Sequence, residues 1–138
     1  MLLSWFGCGD ETEQDGEKKT YAQNLLDSRD AGFQLKTLND LKAIGQALNM
    51  YRIEHSSYPA GSFEELVKAL EPHSMMQVPR QDGWGYPYIY TSTGNSYQLS
   101  SPGKDGRGGH STDNRFDRHD YDHSITYASG GFTAAPTR

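Results

Sequence analysis

Cysteine and long apolar runs are nearly absent from this chain of 138 residues. Cys8 is the only cysteine, which excludes a disulfide within the chain and any zinc site built from several cysteines. The apolar start, MLLSWFGC, is far shorter than the roughly twenty residues that a membrane-spanning helix needs. The sequence as written therefore predicts neither an internal disulfide nor a membrane span.

Basic residues are outnumbered by acidic ones. The net charge of −5 argues against a protein that binds nucleic acid through its charge, and it is compatible with divalent cations. Hydrophobic residues make up only 34% of the chain, so the core is expected to be small. Fifteen glycines and 12% aromatic residues indicate one modest, loop-rich domain.

The sequence around Cys8 leaves three interpretations open. A small residue, Gly7, precedes Cys8 and polar residues follow it, as in the remnant of a lipoprotein signal. Cys8 is therefore a candidate lipid attachment site. The alternatives are a wrongly chosen start codon and a frayed terminus with an incidental cysteine.

Residues 1–24 are predicted to be an apolar start followed by a charged, disordered tether, and residues 25–138 a single globular domain. Apolar residues then recur at spacings of three and four, which predicts an amphipathic helix over residues 33–55. These residues are Leu38, Leu41, Ile44, Leu48 and Tyr51. Gly45 lies inside the helix at a cost of up to about 1 kcal/mol, so tertiary packing must compensate.

A short helix over residues 62–71 is predicted after Pro59, with Ser62 and Glu65 as a capping box. The apolar pattern of residues 84–134 then shifts towards a period of two, with Tyr86, Tyr88 and Tyr90 on one face. Residues 102–123 are expected to form a loop. The predicted fold class is α+β, with a long helix across an antiparallel sheet of about four strands.

An aromatic corner separates the helices from the strands. Its sequence is DGWGYPY, and its key residues are Asp82, Trp84, Gly85, Pro87 and Tyr88. Glycines beside a large indole permit close backbone approach and positive φ, and proline is confined to strand starts and edges. We expect a rigid structural corner with Trp84 on the helix; the alternative is an aromatic platform for a ligand.

A glycine-rich loop over residues 100–109 is followed by Asp113, Asp117, Asp120 and Asp122. Glycine-rich loops can turn carbonyl oxygens inward, and hard cations such as calcium take six to eight oxygen ligands. The spacing is not that of an EF-hand. Nearby basic residues nearly neutralise the aspartates, so a merely solvated loop is the alternative; they are Lys104, Arg107, Arg115 and Arg118.

Signs of catalysis are weak. His119 and His123 are four residues apart, with His110 before them, but no helical pattern supports a shared zinc and no glutamate follows His119 to act as a base. Neither a phosphate-binding loop nor a nucleophile elbow is present. We therefore predict that the protein is not an enzyme, and a metal-dependent hydrolase that uses the His/Asp loop ranks far below the other hypotheses.

The order of these motifs resembles the major pseudopilins of bacterial type II secretion systems and the wider type IV pilin-like group. The stretch 41–51, LKAIGQALNMY, is similar to the end of the pilin helix, and Ser57-Tyr58-Pro59 to the turn after it. The stretches VPRQDGWGYPY (78–88) and YQLSSPGKDG (97–106) resemble the family patterns P-x-D-P-W-G-x-P-Y and Y-D-L-x-S-x-G-x-D-G. Residues 125–132 resemble its closing hairpin.

The resemblance implies a calcium-stabilised β-loop on a long helix, in a subunit that polymerises into a short periplasmic fibre and helps to drive export. By position, Asp105 is the best-matched calcium ligand, with the carbonyls of Leu99 and Pro102 as companions. Ser124 stands where the family often has aspartate, so a later carboxylate must supply that ligand: Asp117, Asp120 or Asp122.

The chain departs from the family pattern near its start. Gly83 replaces a proline, the family's apolar stem is missing, and the only early Gly-Phe pair, Gly32-Phe33, has Thr37 at the position of the family's glutamate. Membrane association would then need a missing N-terminal stem or a lipid on Cys8.

Two hypotheses follow for a protein of the bacterial periplasm or cell envelope. The first is a pseudopilin-type assembly subunit that associates with other pilin-like subunits or with itself. The second is a free-standing pilin-like envelope protein or lipoprotein that binds a partner and forms no fibre.

Overall fold

The computed structural model describes residues 20–108, 115–129 and 131–136. Contacts divide the chain into two units, Met1–Asp30 and Ala31–Arg138. Of the first unit, residues 20–30 are described, and they are helical from Tyr21. The hydrophobic core, the sheet and the candidate site all lie in the second unit.

Two helices and five strands make up the described residues. They are α1 (Tyr21–His55), α2 (Phe63–Leu70), β1 (Ile89–Ser92), β2 (Tyr97–Ser101), β3 (Arg115–Phe116), β4 (Ile125–Ala128) and β5 (Gly131–Pro136). The strand order is β1-β2-β4-β5-β3. All pairs are antiparallel except β3 with β5, which is parallel. The predicted α+β class is confirmed. In the described residues, neither helix is long and apolar enough to cross a membrane.

The long helix begins twelve residues before its predicted start. Thr20 caps it, because its Oγ1 accepts the backbone N–H of Gln23 at 3.1 Å, as an N-cap side chain does. Leu25 and Leu26 in the first turns are exposed, so they add nothing to the apolar periodicity on which the prediction relied. The disordered tether predicted for residues 1–24 is therefore wrong for residues 21–24; residues 1–19, Cys8 among them, lie outside the described residues.

The inner face of α1 follows the predicted stripe. Leu41, Ile44 and Leu48 are fully buried and belong to one core cluster with Leu99 of β2 and Ile125 of β4. Burying such side chains contributes about 1.5–3 kcal/mol each relative to leaving them exposed. This stripe therefore attaches the helix to the sheet.

The strands follow the predicted alternation with two corrections. Tyr88 and Tyr90 are buried, whereas Tyr86 is 38% exposed, because it lies before β1 and its ring covers Gly106 instead of the core. The loop predicted over residues 102–123 contains β3, which at two residues is too short to show any periodicity and depends on its pairing with β5.

A tight turn at residues 93–96 joins β1 to β2. The N–H of Thr93 donates to the carbonyl of Ser96 at 3.0 Å, and Gly94 has a φ of 93°, the left-handed region in which glycine is favoured. The hairpin also contacts the segment after α1, since its Gly94 carbonyl accepts the N–H of Tyr58 at 2.9 Å.

The short helix is confirmed within one residue at each end, but its predicted capping box is wrong. Ser62 is the N-cap residue and has extended backbone angles, yet its side chain makes no capping hydrogen bond. Its carbonyl accepts the first helical N–H, that of Leu66, at 3.1 Å. The amphipathic pattern, with Leu66 and Leu70 buried, is what fixes this helix on the core.

Packing against Tyr127 of β4 explains why α1 has a glycine at position 45 despite its lower helix propensity. A Cβ placed on Gly45 would overlap the Tyr127 ring, which is itself held edge-to-face against Phe132 with 4.8 Å between ring centroids. The glycine therefore lets a tyrosine ring lie directly on the helix backbone.

We predict opposite effects for alanine at the two glycines of α1 in the second unit. Gly45→Ala should lower the free energy of unfolding by about 1–3 kcal/mol through overpacking against Tyr127. Gly32→Ala, where a Cβ would meet nothing within 4 Å, should raise it by about 0.5–1 kcal/mol because alanine favours the helix. Urea unfolding measures both. Equal effects would contradict the packing argument.

Candidate functional site

The corner is organised around the buried carboxylate of Asp82, which is 3% exposed. Oδ1 accepts the backbone N–H groups of Trp84 at 3.0 Å and Tyr86 at 2.9 Å, and Oδ2 accepts the hydroxyl of Ser101 at 2.6 Å. Ser101 Oγ in turn accepts the N–H of Gly103 at 3.2 Å. One carboxylate thus joins the corner to the end of β2 and to the loop that follows.

A second set of contacts joins the corner to α1. The N–H of Gly83 donates to Thr37 Oγ1 at 2.9 Å, and the Thr37 hydroxyl donates to the carbonyl of Phe33 at 2.8 Å. A Cβ on Gly83 would overlap that carbonyl. A larger residue therefore could not bring the corner so close to the helix.

Aromatic contacts add to this junction. The Trp84 ring meets Phe33 edge-to-face with 6.3 Å between centroids, and it lies 6.4 Å from the ring of Tyr121. Such aromatic pairs contribute about 0.5–1.5 kcal/mol beyond their buried area. Trp84 therefore links the helix to the segment before β4.

The remaining corner residues complete the turn. Gly85 has a φ of 92°, and its N–H donates to the Asp82 carbonyl at 3.1 Å. Pro87 is exposed and forms an isolated bridge with Gln81. Tyr88 is buried, and its hydroxyl donates to Asp40 Oδ2 at 2.8 Å. Burial, followed by the neighbouring Asp40 carboxylate, raises the pKa of Tyr88 well above its ordinary value, so this side chain stays neutral and acts as a donor.

The glycine-rich loop over residues 101–108 is closed by its own hydrogen bonds. The Pro102 carbonyl accepts the N–H of Gly108 at 3.2 Å, and the Gly103 carbonyl accepts that of Gly106 at 3.1 Å. Asp105 Oδ1 accepts the N–H of Arg107 at 3.0 Å. The loop therefore has a defined path.

This loop packs against residues 117–123 through backbone atoms. The N–H of Lys104 donates to the Tyr121 carbonyl at 2.8 Å. A Cβ on Gly103 would overlap the carbonyl oxygens of Asp122 and His123. The structure thus brings the Pro102–Asp105 part of the loop next to the segment that carries three of the candidate aspartates.

The side chains of those aspartates are not gathered there. Asp117, Asp120 and Asp122 are all exposed. Asp117 Oδ1 accepts the His119 N–H at 2.8 Å, and this bond lowers the pKa of Asp117. Leu99 is fully buried in the middle of β2, opposite Tyr90 on one side and Tyr127 on the other.

No group of three or more histidine, cysteine, aspartate or glutamate side chains is placed to hold a metal within residues 20–108, 115–129 and 131–136. His119 and His123 make separate contacts. His119 pairs with Asp117 on the surface, whereas the buried ring of His123 stacks on Phe116 with 3.9 Å between centroids. His110, Asp113 and Cys8 lie outside the described residues.

Sequence reasoning missed two residues of the corner network, Ser101 and Thr37. Thr37 is a polar residue on the buried stripe of α1, one turn before Leu41, and that position is the signal that was available. Ser101 carries no comparable signal, because its partner Asp82 is nineteen residues away in the chain.

Comparisons with known proteins point to one family. Residues 24–117 match the family described as Type II secretion system (T2SS), protein G. The chain is 32% identical over 87 residues to the Type II secretion system core protein G of Klebsiella michiganensis, covering 61% of each chain. It is 32% identical over 100 residues to the protein of the same name from Aeromonas hydrophila, covering 62% of this chain and 69% of the relative. The chain thus spans about three fifths of the length of the Klebsiella relative.

We predict that Asp82→Ala lowers the free energy of unfolding by about 3 kcal/mol, because two backbone N–H groups and a hydroxyl lose a charged acceptor inside the protein. Asp82→Asn should cost less, since one carbonyl oxygen remains for Trp84 and Tyr86. The control Glu54→Ala removes an exposed carboxylate and should change stability by less than about 0.5 kcal/mol. Urea unfolding decides: an Asp82→Ala value as small as the control's would show that the network is dispensable.

Proposed function

This chain belongs to the type II secretion system protein G family, and from that premise we propose that it is a pseudopilin, a structural subunit of a secretion apparatus in the bacterial envelope. It associates with other subunits of pilin-like type or with copies of itself and performs no catalysis. The observation that carries the proposal is the family match over residues 24–117, which contains α1 from Asn24 onwards, the corner and the Asp105 loop.

The chemistry of the corner supports a mechanical role. Its polar groups bind backbone atoms and one another: Asp82 accepts two backbone N–H groups and a hydroxyl, and Thr37 accepts the N–H of Gly83. Groups engaged in this way are unavailable to substrates. They make the junction between helix, corner and loop stiff, which suits a subunit that must bear load without changing shape.

We also propose that calcium binds between the loop and residues 117–123. The available donors are oxygens, which are the ligands that calcium takes. Asp105 offers a carboxylate, and the carbonyls of Pro102 and Leu99 are candidate companions. One exposed carboxylate from the opposite segment would complete the set: Asp117, Asp120 or Asp122. Because the described acidic side chains do not cluster, the site depends on backbone carbonyls and on an inward turn of that carboxylate.

Calcium at this position would act by tying two segments together. The loop and residues 117–123 meet through backbone atoms, as in the bond from the Lys104 N–H to the Tyr121 carbonyl. A divalent cation that binds only the folded arrangement stabilises it by RT ln(1 + [L]/Kd). Its role would be structural, with no part in bond making or breaking.

Loss of secretion is the expected result of deleting the gene for this chain in its own bacterium. Proteins exported by the type II system should disappear from the culture medium and accumulate in the periplasm, and the wild-type gene should restore export. The Glu54→Ala variant, which keeps the corner, should restore it as well. Unchanged export would defeat the pseudopilin proposal and favour a free-standing envelope protein. Incorporation of radiolabelled palmitate that is lost in Cys8→Ser would identify that protein as a lipoprotein.

Calcium should raise the melting temperature of the purified chain relative to calcium-free buffer, by an amount equivalent to about 2.7 kcal/mol when calcium is at a hundred times its Kd. Asp105→Asn should remove most of this rise. The asparagine keeps a carbonyl oxygen for the N–H of Arg107, so the loop itself stays closed. Glu54→Gln removes a distant charge and should leave the rise intact. A melting curve insensitive to calcium, or an equal rise in Asp105→Asn, would contradict the proposed site.

A further inference from the structure

A pocket of about 370 Å³ lies on the face of the sheet away from α1. Its floor is one row of paired residues across four strands, in which Ser100 of β2 is opposite Ile89 on one side and Thr126 on the other, and Thr126 is opposite Ala134. Leu99, the neighbour of Ser100, points into the core. Because side chains alternate along a strand, the floor residues face outwards.

Among the described residues, a single fully charged side chain lines the pocket. Arg107 at its rim is the only lysine, arginine, aspartate or glutamate among the described residues that line it, and its exposed guanidinium forms no ion pair with a described carboxylate. Asp105, two residues earlier, accepts the backbone N–H of Arg107 and is not part of the lining. The electrostatic potential of the pocket therefore favours an anion.

A buried hydroxyl in the same pocket is the second observation. Ser124 Oγ is shielded from solvent and has no hydrogen-bond partner among the described residues. It lies 3.5 Å from where a Cβ on Gly108 would be, at the wall of the pocket. A buried hydroxyl without a partner is costly in a folded protein, so such groups usually mark a bound water, ion or ligand. The hydroxyls of Ser100 and Thr126 line the same space.

We propose that this pocket binds an oxyanion, a carboxylate or phosphate group. The Arg107 guanidinium presents a planar fork of N–H donors that matches such groups. The Ser100 hydroxyl donates to one of the remaining oxygens, and the Ser124 hydroxyl donates to another once it turns from its buried position into the pocket. The site does not depend on the proposed secretion function. Its lining shares Pro102 with the proposed calcium site, but none of its donors is a candidate calcium ligand.

The test is a titration of the full chain with sodium phosphate, and separately with sodium acetate, at constant ionic strength. Chloride serves as the balancing anion, and NMR follows the amides of Gly108 and Ser124 and the Nε–H of Arg107. Saturable shifts are expected; the phosphate and acetate arms show which oxyanion binds more tightly. Arg107→Gln should weaken binding at least about tenfold. Arg118→Gln makes the same change of charge at an exposed residue outside the lining and should leave the affinity within about twofold.

Ser124→Ala separates a binding role from a structural one. It should weaken binding about tenfold and, in chloride buffer without phosphate or acetate, raise the melting temperature, because it removes a buried hydroxyl that has no partner among the described residues. A raised melting temperature with unchanged affinity would overturn the role of Ser124. Non-saturating shifts, or equal shifts in wild type and Arg107→Gln, would overturn the site. Asp105→Asn should still bind phosphate, so failure here and failure of the calcium proposal can be told apart.

Discussion

The buried carboxylate of Asp82 is the interaction on which the rest of the second unit depends. A charge taken out of water is tolerated only when it is fully hydrogen-bonded, and here the donors come from the corner and from Ser101 at the end of β2. The corner and the end of the sheet must therefore form together. Since Ser101 also accepts the N–H of Gly103, the same carboxylate fixes the point at which the glycine-rich loop leaves the sheet.

Two glycines, Gly83 and Gly45, bring the corner and the sheet into direct contact with α1. Gly83 has no side chain to collide with the Phe33 carbonyl, and its N–H reaches Thr37, so the corner lies directly against the backbone of α1. Gly45 does the same further along the helix, where it accommodates Tyr127 of β4. These two close approaches add to the buried stripe of Leu41, Ile44 and Leu48 in holding α1 against the corner and the sheet.

The sequence-based predictions succeed where burial is periodic and fail where it is not. The stripe of Leu41, Ile44 and Leu48 was readable because every third or fourth residue is buried, and the apolar residues of α2 follow the same spacing. The first turns of α1 expose their leucines, and β3 has only two residues, so neither leaves a pattern. The glycines of the corner predicted a rigid turn. They did not predict that the Asp82 carboxylate would accept three hydrogen bonds there. Ser101, which donates to Asp82, is nineteen residues from it, and Thr37, which accepts from Gly83, is forty-six residues from that glycine. Only the tertiary fold brings these pairs together.

Counting charges along the chain treats Asp105, Asp117, Asp120 and Asp122 as equivalent, whereas the fold makes them unequal. Asp105 lies in a loop closed by its own hydrogen bonds and packed by backbone contacts against residues 121–123, while Asp117, Asp120 and Asp122 face solvent. Arg107, two residues after Asp105, lines the pocket on the sheet, whereas Asp105 does not. One loop thus presents a carboxylate and a guanidinium to different surroundings. Counted along the chain, the two charges cancel. In the fold they face different surroundings, so the proposed calcium site and the proposed oxyanion site would occupy distinct positions.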